Sequence, residues 1–334
     1  MKRTEKNMRK KTIIFVLLAI MLIGLFFVAV NTGGIKISFI KLLKGLFIEY
    51  NRDVEIIFDL RFPRIIIAML SGAALAVSGV LFQAVMKNPL ADPGLIGISA
   101  GASFFAVILV MFFPSLYFFT PLFAFLGGIT ACILVYTLSW KSGLSPLRII
   151  LVGVAVNALF SGLIEALGFI AGGKQSAVTA GISANIIMKT WNDVHMLTGY
   201  VIFGLIMGFC VVDKCNLLSL EDKTVRNLGV NVNGARVLIS SIAVLLASIS
   251  TAIVGPISFV GLVVPHIARI FVGSNHKILI PFAILLGSFT VLFADTVGRV
   301  IVYPYEIPTS IIMAVIGGPF FIFLLRRSEK TYGN

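Results

Sequence analysis

"IIIAMLSGAALAVSGVLFQAVMKNPLADPGLIG", residues 65–97, carries the pattern on which the fold turns. Residues 65–86 hold no charge and match the roughly 20 apolar residues that a helix needs to cross a bilayer core. The run then breaks into Lys87, Asn88, Pro89, Asp92, Pro93, Gly94 and Gly97 before apolar residues resume. Pro89 and Pro93 limit helix continuation, while Gly94 and Gly97 let a second helix start close by. The expected unit is two membrane helices joined by a tight polar turn.

The rest of the chain repeats that unit. Its 334 residues are 58% hydrophobic and 12% charged, with a mean hydropathy of +1.04, far from a soluble globular balance. Spans are expected near 12–31, 65–86, 94–113, 117–139, 147–170, 196–213, 236–254, 257–273, 279–298 and 308–325. The expected fold is therefore all-α, a polytopic membrane protein of about ten transmembrane helices forming a single domain over 1–334. The first run follows a basic leader, lacks an A-x-A-like cleavage site and reads as a retained span.

Lys and Arg set the orientation, because cytoplasmic loops are enriched in them. Placing both termini in the cytoplasm leaves only Lys36, Lys41, Lys44, Arg52, Arg61, Arg64, Lys174, Lys189 and Arg299 outside, of 27 basic residues. The cytoplasmic segments are then a tail at 1–11, a loop at 214–235 and a tail at 326–334. Most of the +13 net charge sits at membrane edges, so it does not point to nucleic acid.

Several chemistries are disfavoured. "GFIAGGKQ" (168–175) approaches a phosphate loop but ends in Gln175 where a hydroxyl is needed, with no strand before it. Cys132, Cys210 and Cys215 lack metal-ligand spacing, and no catalytic His, Ser or paired-carboxylate motif is present. The chain reads as a transporter subunit, not an enzyme, with no cofactor and no metal site.

Polar residues inside spans are more informative. Gly72, Ala76, Gly79 and Gln83 share one helical face, against which a neighbouring helix or a pathway lies, and "GISAG" (97–101) is a second small-residue face. The two are expected to meet near the polar turn. Gly153, Asn157, Ser161 and Glu165 recur every four residues, a stripe that either lines a pathway or makes structural hydrogen bonds. Asp295 and Arg299, one turn apart, can pair.

Three non-spanning segments stand out. "SFIKLLKGLFIEY" (38–50) suits an interfacial helix, and 171–195 a partly re-entrant segment anchored by Trp191. In "LLSLEDKTVRNLGVNVNGARV" (217–237), Ser219 is the expected N-cap of a short helix with Arg226 in its last turn and Gly229 as its stop. Its apolar Leu220, Val225 and Leu228 are few for burial, which invites a docking partner.

Taken together, "DLRFPRIIIAMLSGAALAVSGVLFQAVMKNPLADPGLIGISAGA" (59–102), "LGVNV" (228–232), "GPISFVGLVVPHIARIFVG" (255–273), "LFADTVGR" (292–299) and "EIPTSIIMAVIGGPFFIFLLRR" (306–327) resemble the ABC importer permeases for iron-siderophore complexes, haem and cobalamin. That family is FecCD-type and BtuC-like, and the resemblance covers essentially the whole chain. It implies a homodimer or a pair of related permease chains in the bacterial plasma membrane, over two cytoplasmic ATP-binding cassette ATPase subunits. It also implies an extracytoplasmic substrate-binding protein, a lipoprotein if the cell is Gram-positive, docking on Arg61, Arg64 and Arg299. Glu221, Asp222, Val225, Arg226, Leu228 and Gly229 match the ATPase coupling helix, although Glu221 and Val225 replace the common glycine and alanine. Asn88 and Leu90 match the cytoplasmic gate, and Gln83, Asn157, Ser161 and Glu165 are the pathway candidates. The implied cargo is an iron complex, ferric siderophore or haem. The alternatives are cobalamin, or a proton-coupled secondary transporter using Glu165 and Asp295 as relay carboxylates.

Overall fold

Each expected span is a helix in the structure, a computed structural model that describes residues 2–32, 52–139, 146–170 and 186–332. In chain order these are α1 (Lys2–Asn31), α2 (Phe62–Met86), α3 (Ile98–Phe112), α4 (Thr120–Ser139), α5 (Pro146–Ile170) and α6 (Trp191–Cys210). Two short helices follow, α7 (Val212–Leu218) and α8 (Asp222–Asn227), and then α9 (Val232–Val254), α10 (Val260–Val272), α11 (His276–Val300) and α12 (Thr309–Tyr332). The expected interfacial helix at 38–50 and most of the outer segment at 171–195 lie outside the described residues.

Among the described residues, eight helices are long and apolar enough to cross a membrane, which makes this a multi-pass membrane protein. The other two spans, α3 and α10, have 15 and 13 residues. At 1.5 Å per residue both fall short of a ~30 Å hydrocarbon core. Non-helical backbone at membrane depth is tolerated only where protein buries it or where it lines a cavity. The turns that precede α3 and α10 meet that condition, as the site shows below.

Helix α2 is the centre of the bundle: most of its residues are buried, whereas α1 and α6 turn Val16, Ile20, Ile202 and Phe203 outward. Exposed apolar side chains on the rim suit a lipid solvent. The small face of α2 is filled by two neighbours. A Cβ on Gly72 would lie 2.2 Å from the Gly287 carbonyl oxygen of α11, and one on Gly79 would lie 2.0 Å from that of Gly261 in α10. Only glycine allows backbones this close. The second small face, at Gly101, packs on Gly127 of α4 instead. The two faces therefore do not meet each other; each is taken up by its own glycine-bearing neighbour.

Helix α6 begins at Trp191, earlier than its apolar run suggests. Asp193 Oδ2 accepts hydrogen bonds from the Thr190 amide at 2.9 Å and its hydroxyl at 3.0 Å, which starts the helix there. Trp191 donates its indole N–H to the Phe58 carbonyl and lies against the Phe58 ring, fixing this end of α6 to the lead-in of α2.

The bundle has two distinct polar ends. Lys11 of α1, Lys87 after α2, α7, α8 and the α10–α11 junction share one end, where Asn216 of α7 bonds Asn275 and His276. The end of α1, Arg61, Arg64, Asp295 and Glu306 share the other.

Candidate functional site

The polar stripe of α5 faces a cleft. Asn157, Ser161 and Glu165 line a cavity of about 360 Å³ together with Ser99 and Ser103 of α3, Gly94 and Leu95 of the polar turn, and Pro256 and Ser258. The Ser99 and Ser103 hydroxyls have no hydrogen-bond partner among the described residues, although both side chains are buried. Buried hydroxyls without partners are uncommon, and here they stand beside an open polar cavity. The wall thus sets hydroxyls, one amide and one carboxylate among apolar side chains, Ala100, Val154 and Ile164 included.

Gln83, the fourth expected pathway residue, is elsewhere. Its side chain is buried and donates to the carbonyls of Ala91 at 3.3 Å and Gly261 at 3.1 Å, while Arg269 of α10 donates to its Oε1. Gln83 therefore satisfies the broken backbone where the turn and α10 meet. Helical phase alone placed it with the small residues, and those residues proved to be a packing face.

The turn between α2 and α3 is closely held. Lys87 closes α2 with φ +49°, and its amide reaches back to the Gln83 carbonyl. Asn88 is buried, and its Oδ1 accepts the Leu90 amide at 3.0 Å, forming a local side-chain turn. Leu90 packs with Phe259, Phe320 and Phe321 around the buried Leu262, Val263 and Leu324. Asp92, 1% exposed, accepts the amides of Gly94 at 2.8 Å and Leu95 at 3.1 Å, and its other oxygen lies against Gly261. One carboxylate thus caps the turn into α3 and abuts the first turn of α10. Asp92 is not among the site residues expected from the sequence, although an Asp-Pro-Gly sequence after a span is a recognisable turn signal.

The loop helix α8 forms where expected, but its cap differs. Glu221 is the N-cap, without a side-chain bond, and Ser219 donates its hydroxyl to Asn216 at the end of α7. Gly229 ends the helix at φ +78°. The expected coupling residues then divide by face. Val225 is fully buried and Asp222 points inward, whereas Glu221, Arg226, Leu228 and Gly229 are exposed. Asp222 Oδ1 accepts from Lys87 Nζ at 2.9 Å and from Arg236 of α9 at 3.0 Å. The hydrogen bond from Lys87, aided by Arg236, holds the Asp222 carboxyl below its ordinary pKa.

At the opposite end, Arg61, Arg64 and Arg299 line a cavity of about 430 Å³ with Asp59, Lys189 and Glu306. Their situations differ. Arg64 makes a bidentate pair with Asp295, at 2.9–3.1 Å, and reaches Glu306 at 2.7 Å. Arg299 is buried with its Nε 3.3 Å from Asp295, the pairing expected from their spacing, and donates to the Ala29 carbonyl. Arg61 is half-buried and donates to the Val30 carbonyl at 2.5 Å. It sits at the end of a π-helical turn, Ile57–Arg61, that feeds α2.

Comparison with known proteins gives the family and the fold. Residues 18–327 match the model of the FecCD transport family. Staphylococcus aureus proteins from strains MSSA476 and Newman, named "Probable heme-iron transport system permease protein IsdF", are 40% identical over 322 residues, covering 96% of this chain and 98% of theirs. A solved structure assigned to the metal-chelate type of ABC transporter, in an inward-facing conformation, superposes with a TM-score of 0.78 at 28% identity, covering 95% of this chain and 99% of that one. PsaBC from Streptococcus pneumoniae, at 17% identity and a TM-score of 0.58 over 86% of this chain and 95% of that one, shares the fold.

Proposed function

The chain belongs to the FecCD transport family, and from that premise we propose that it is the permease subunit of an ABC importer carrying an iron complex, haem in particular, into the cytoplasm. Haem is preferred over a ferric siderophore because the relatives that match nearly the full length are named for haem-iron transport. The observation that carries the reading is the cleft. Asn157, Ser161 and Glu165 face Ser99 and Ser103 above a turn, 87–97, that is tied to the exposed helix α8. A permease performs no bond chemistry; it alternates between two accessible states whose populations its partners bias.

In this reading both termini and α8 are cytoplasmic, as the Lys and Arg distribution requires. Two copies, or this chain and a related permease, place their clefts about a shared axis in the bacterial plasma membrane, with Asn88 and Leu90 as the exit gate. Two ATPase subunits dock on the exposed face of α8, at Glu221, Arg226 and Leu228. A substrate-binding protein, lipid-anchored in a Gram-positive cell, docks over the outer cavity. Arg61, Arg64 and Arg299 all line that cavity, and Arg61 is the most exposed of the three.

The proton-coupled alternative loses one relay group. Asp295 is held by Arg64, Arg299 and Thr309 and is 1% exposed. Proteoliposomes decide between the classes: the chain alone transports nothing, and adding its ATPase and binding protein gives ATP-dependent haem uptake that survives an uncoupler. Titrating the binding protein with haem, ferric siderophores and cobalamin settles the cargo. Tight binding of cobalamin alone would overturn the iron assignment.

A further inference from the structure

The contact between the polar turn and the loop helix assigns a role that neither segment has separately. Lys87 immediately precedes Asn88, and it spans to the loop at two points, the Leu220 carbonyl at 2.5 Å and Asp222 Oδ1 at 2.9 Å. Asp222 is the first residue of α8, and Arg236 on α9 holds the same oxygen at 3.0 Å. Both Lys87 bonds therefore end at the start of α8. The backbone of Lys87 is in the left-handed region, at φ +49°, with its amide still bonded to the end of α2.

Beyond Lys87 the turn has a second anchorage, which gives the contact its leverage. Asp92 abuts the first turn of α10 at Gly261, and Gln83 bridges the Ala91 and Gly261 carbonyls. Residues 88–91 are thus suspended between a tether to α8 at one side and a buried capping carboxylate at the other. A displacement of α8 reaches Asn88 and Leu90 through Lys87, because Asp92 and Gln83 hold the far side.

We propose that Lys87, paired with Asp222 and Arg236, is the positioning residue through which movement of α8 reaches the turn at Asn88 and Leu90. The proposal rests on the permease reading above, and it separates the surface of α8 into two tasks. Its exposed face receives the ATPase, and its inward face, through Asp222, moves the gate. Each pair is partly exposed, so as a source of stability it contributes little.

The test uses the complex of this chain with the ATPase and binding protein that copurify with it. A nitroxide is placed at Pro89→Cys, an exposed position, with Cys210 replaced by Ser; Cys132 and Cys215 are buried. Pulsed electron resonance reads the distance between the two copies with and without ATP and vanadate. Lys87→Met is expected to cut the nucleotide-dependent distance change by at least half, with the melting temperature and the recovered ATPase close to those of the parent. Lys87→Arg, which keeps the positive charge and the donors, should keep most of the change. A full distance change in Lys87→Met overturns the proposal, and so does a change lost only in step with ATPase recovery. Failure of the parent chain to assemble with any ATPase would instead overturn the permease reading, and this role with it.

Discussion

Arg64 and Arg61 are three residues apart and differ in what surrounds them. Arg64 sits between Asp295 and Glu306 with little water access, so removing it leaves a buried carboxylate short of its main partner. Losing one member of a buried pair costs about 3 kcal/mol or more, and Arg64→Ala should show it as a lower melting temperature in detergent. Arg61→Glu should leave that temperature within about 2 °C, since changes at partly exposed sites cost little. Its effect should appear as weaker stimulation of the ATPase by the binding protein, because charge pairs across a docking surface govern encounter and register. Asp222 adds a pH dependence. Its folded pKa lies below the unfolded value, so the tether to Lys87 is complete above the usual carboxylate range of about 4. It is lost only as pH falls through the depressed value. Amide protection across 220–228 should accordingly stay level from pH 8 to pH 5, and Asp222→Asn should lower it at every pH.

At the scale of elements, the decisive events are helix crossings and broken helices. Gly79 and Gly261 let α2 and α10 touch backbone to backbone, and the start of α10 lies there. Gly79→Val must push that start away, and overpacking of this kind costs about 1–3 kcal/mol or more; loss of monodisperse protein on gel filtration is the expected result. Helix α8 was legible in the sequence from its charges, its short apolar pattern and Gly229. Its cap was not, because Ser219 had an equally good use closing α7, which only the neighbouring helix decides. For the docking face, Arg226→Glu should reduce ATPase copurification several-fold while leaving the permease folded, since Arg226 is exposed.

For the whole molecule, the cleft and the turn beneath it must work together. Asn88 holds its own turn through the Leu90 amide, and Leu90 is seated against residues of α10 and α12. In the proposed permease Leu90 closes the exit, so Leu90→Gly, which spares the backbone bond, should raise passive leak of a small polar dye from vesicles without ATP. Unchanged leak would count against this turn as the gate. Glu165→Gln should keep most ATP-driven uptake, because a carboxylate that lines a pathway is replaceable by an amide whereas a proton relay is not.

The sequence by itself determined the order of the apolar helices, the two polar ends and the places of the polar turn and the loop helix. These follow from length, apolar periodicity and charge placement, and lipid enforces all three on every residue of a span whatever its neighbours are. Tertiary structure alone decided the use of each polar residue. Gln83 bonds the broken backbone of the turn and α10, Arg64 and Arg299 turn to Asp295, and Asp92 and Lys87 hold the two sides of the polar turn. The reason is that a polar group in a membrane bundle must find a partner, and which partner lies within about 3 Å is set by residues distant in sequence. Helical phase shows the direction in which a side chain leaves its own helix, and only the packed bundle shows what it meets.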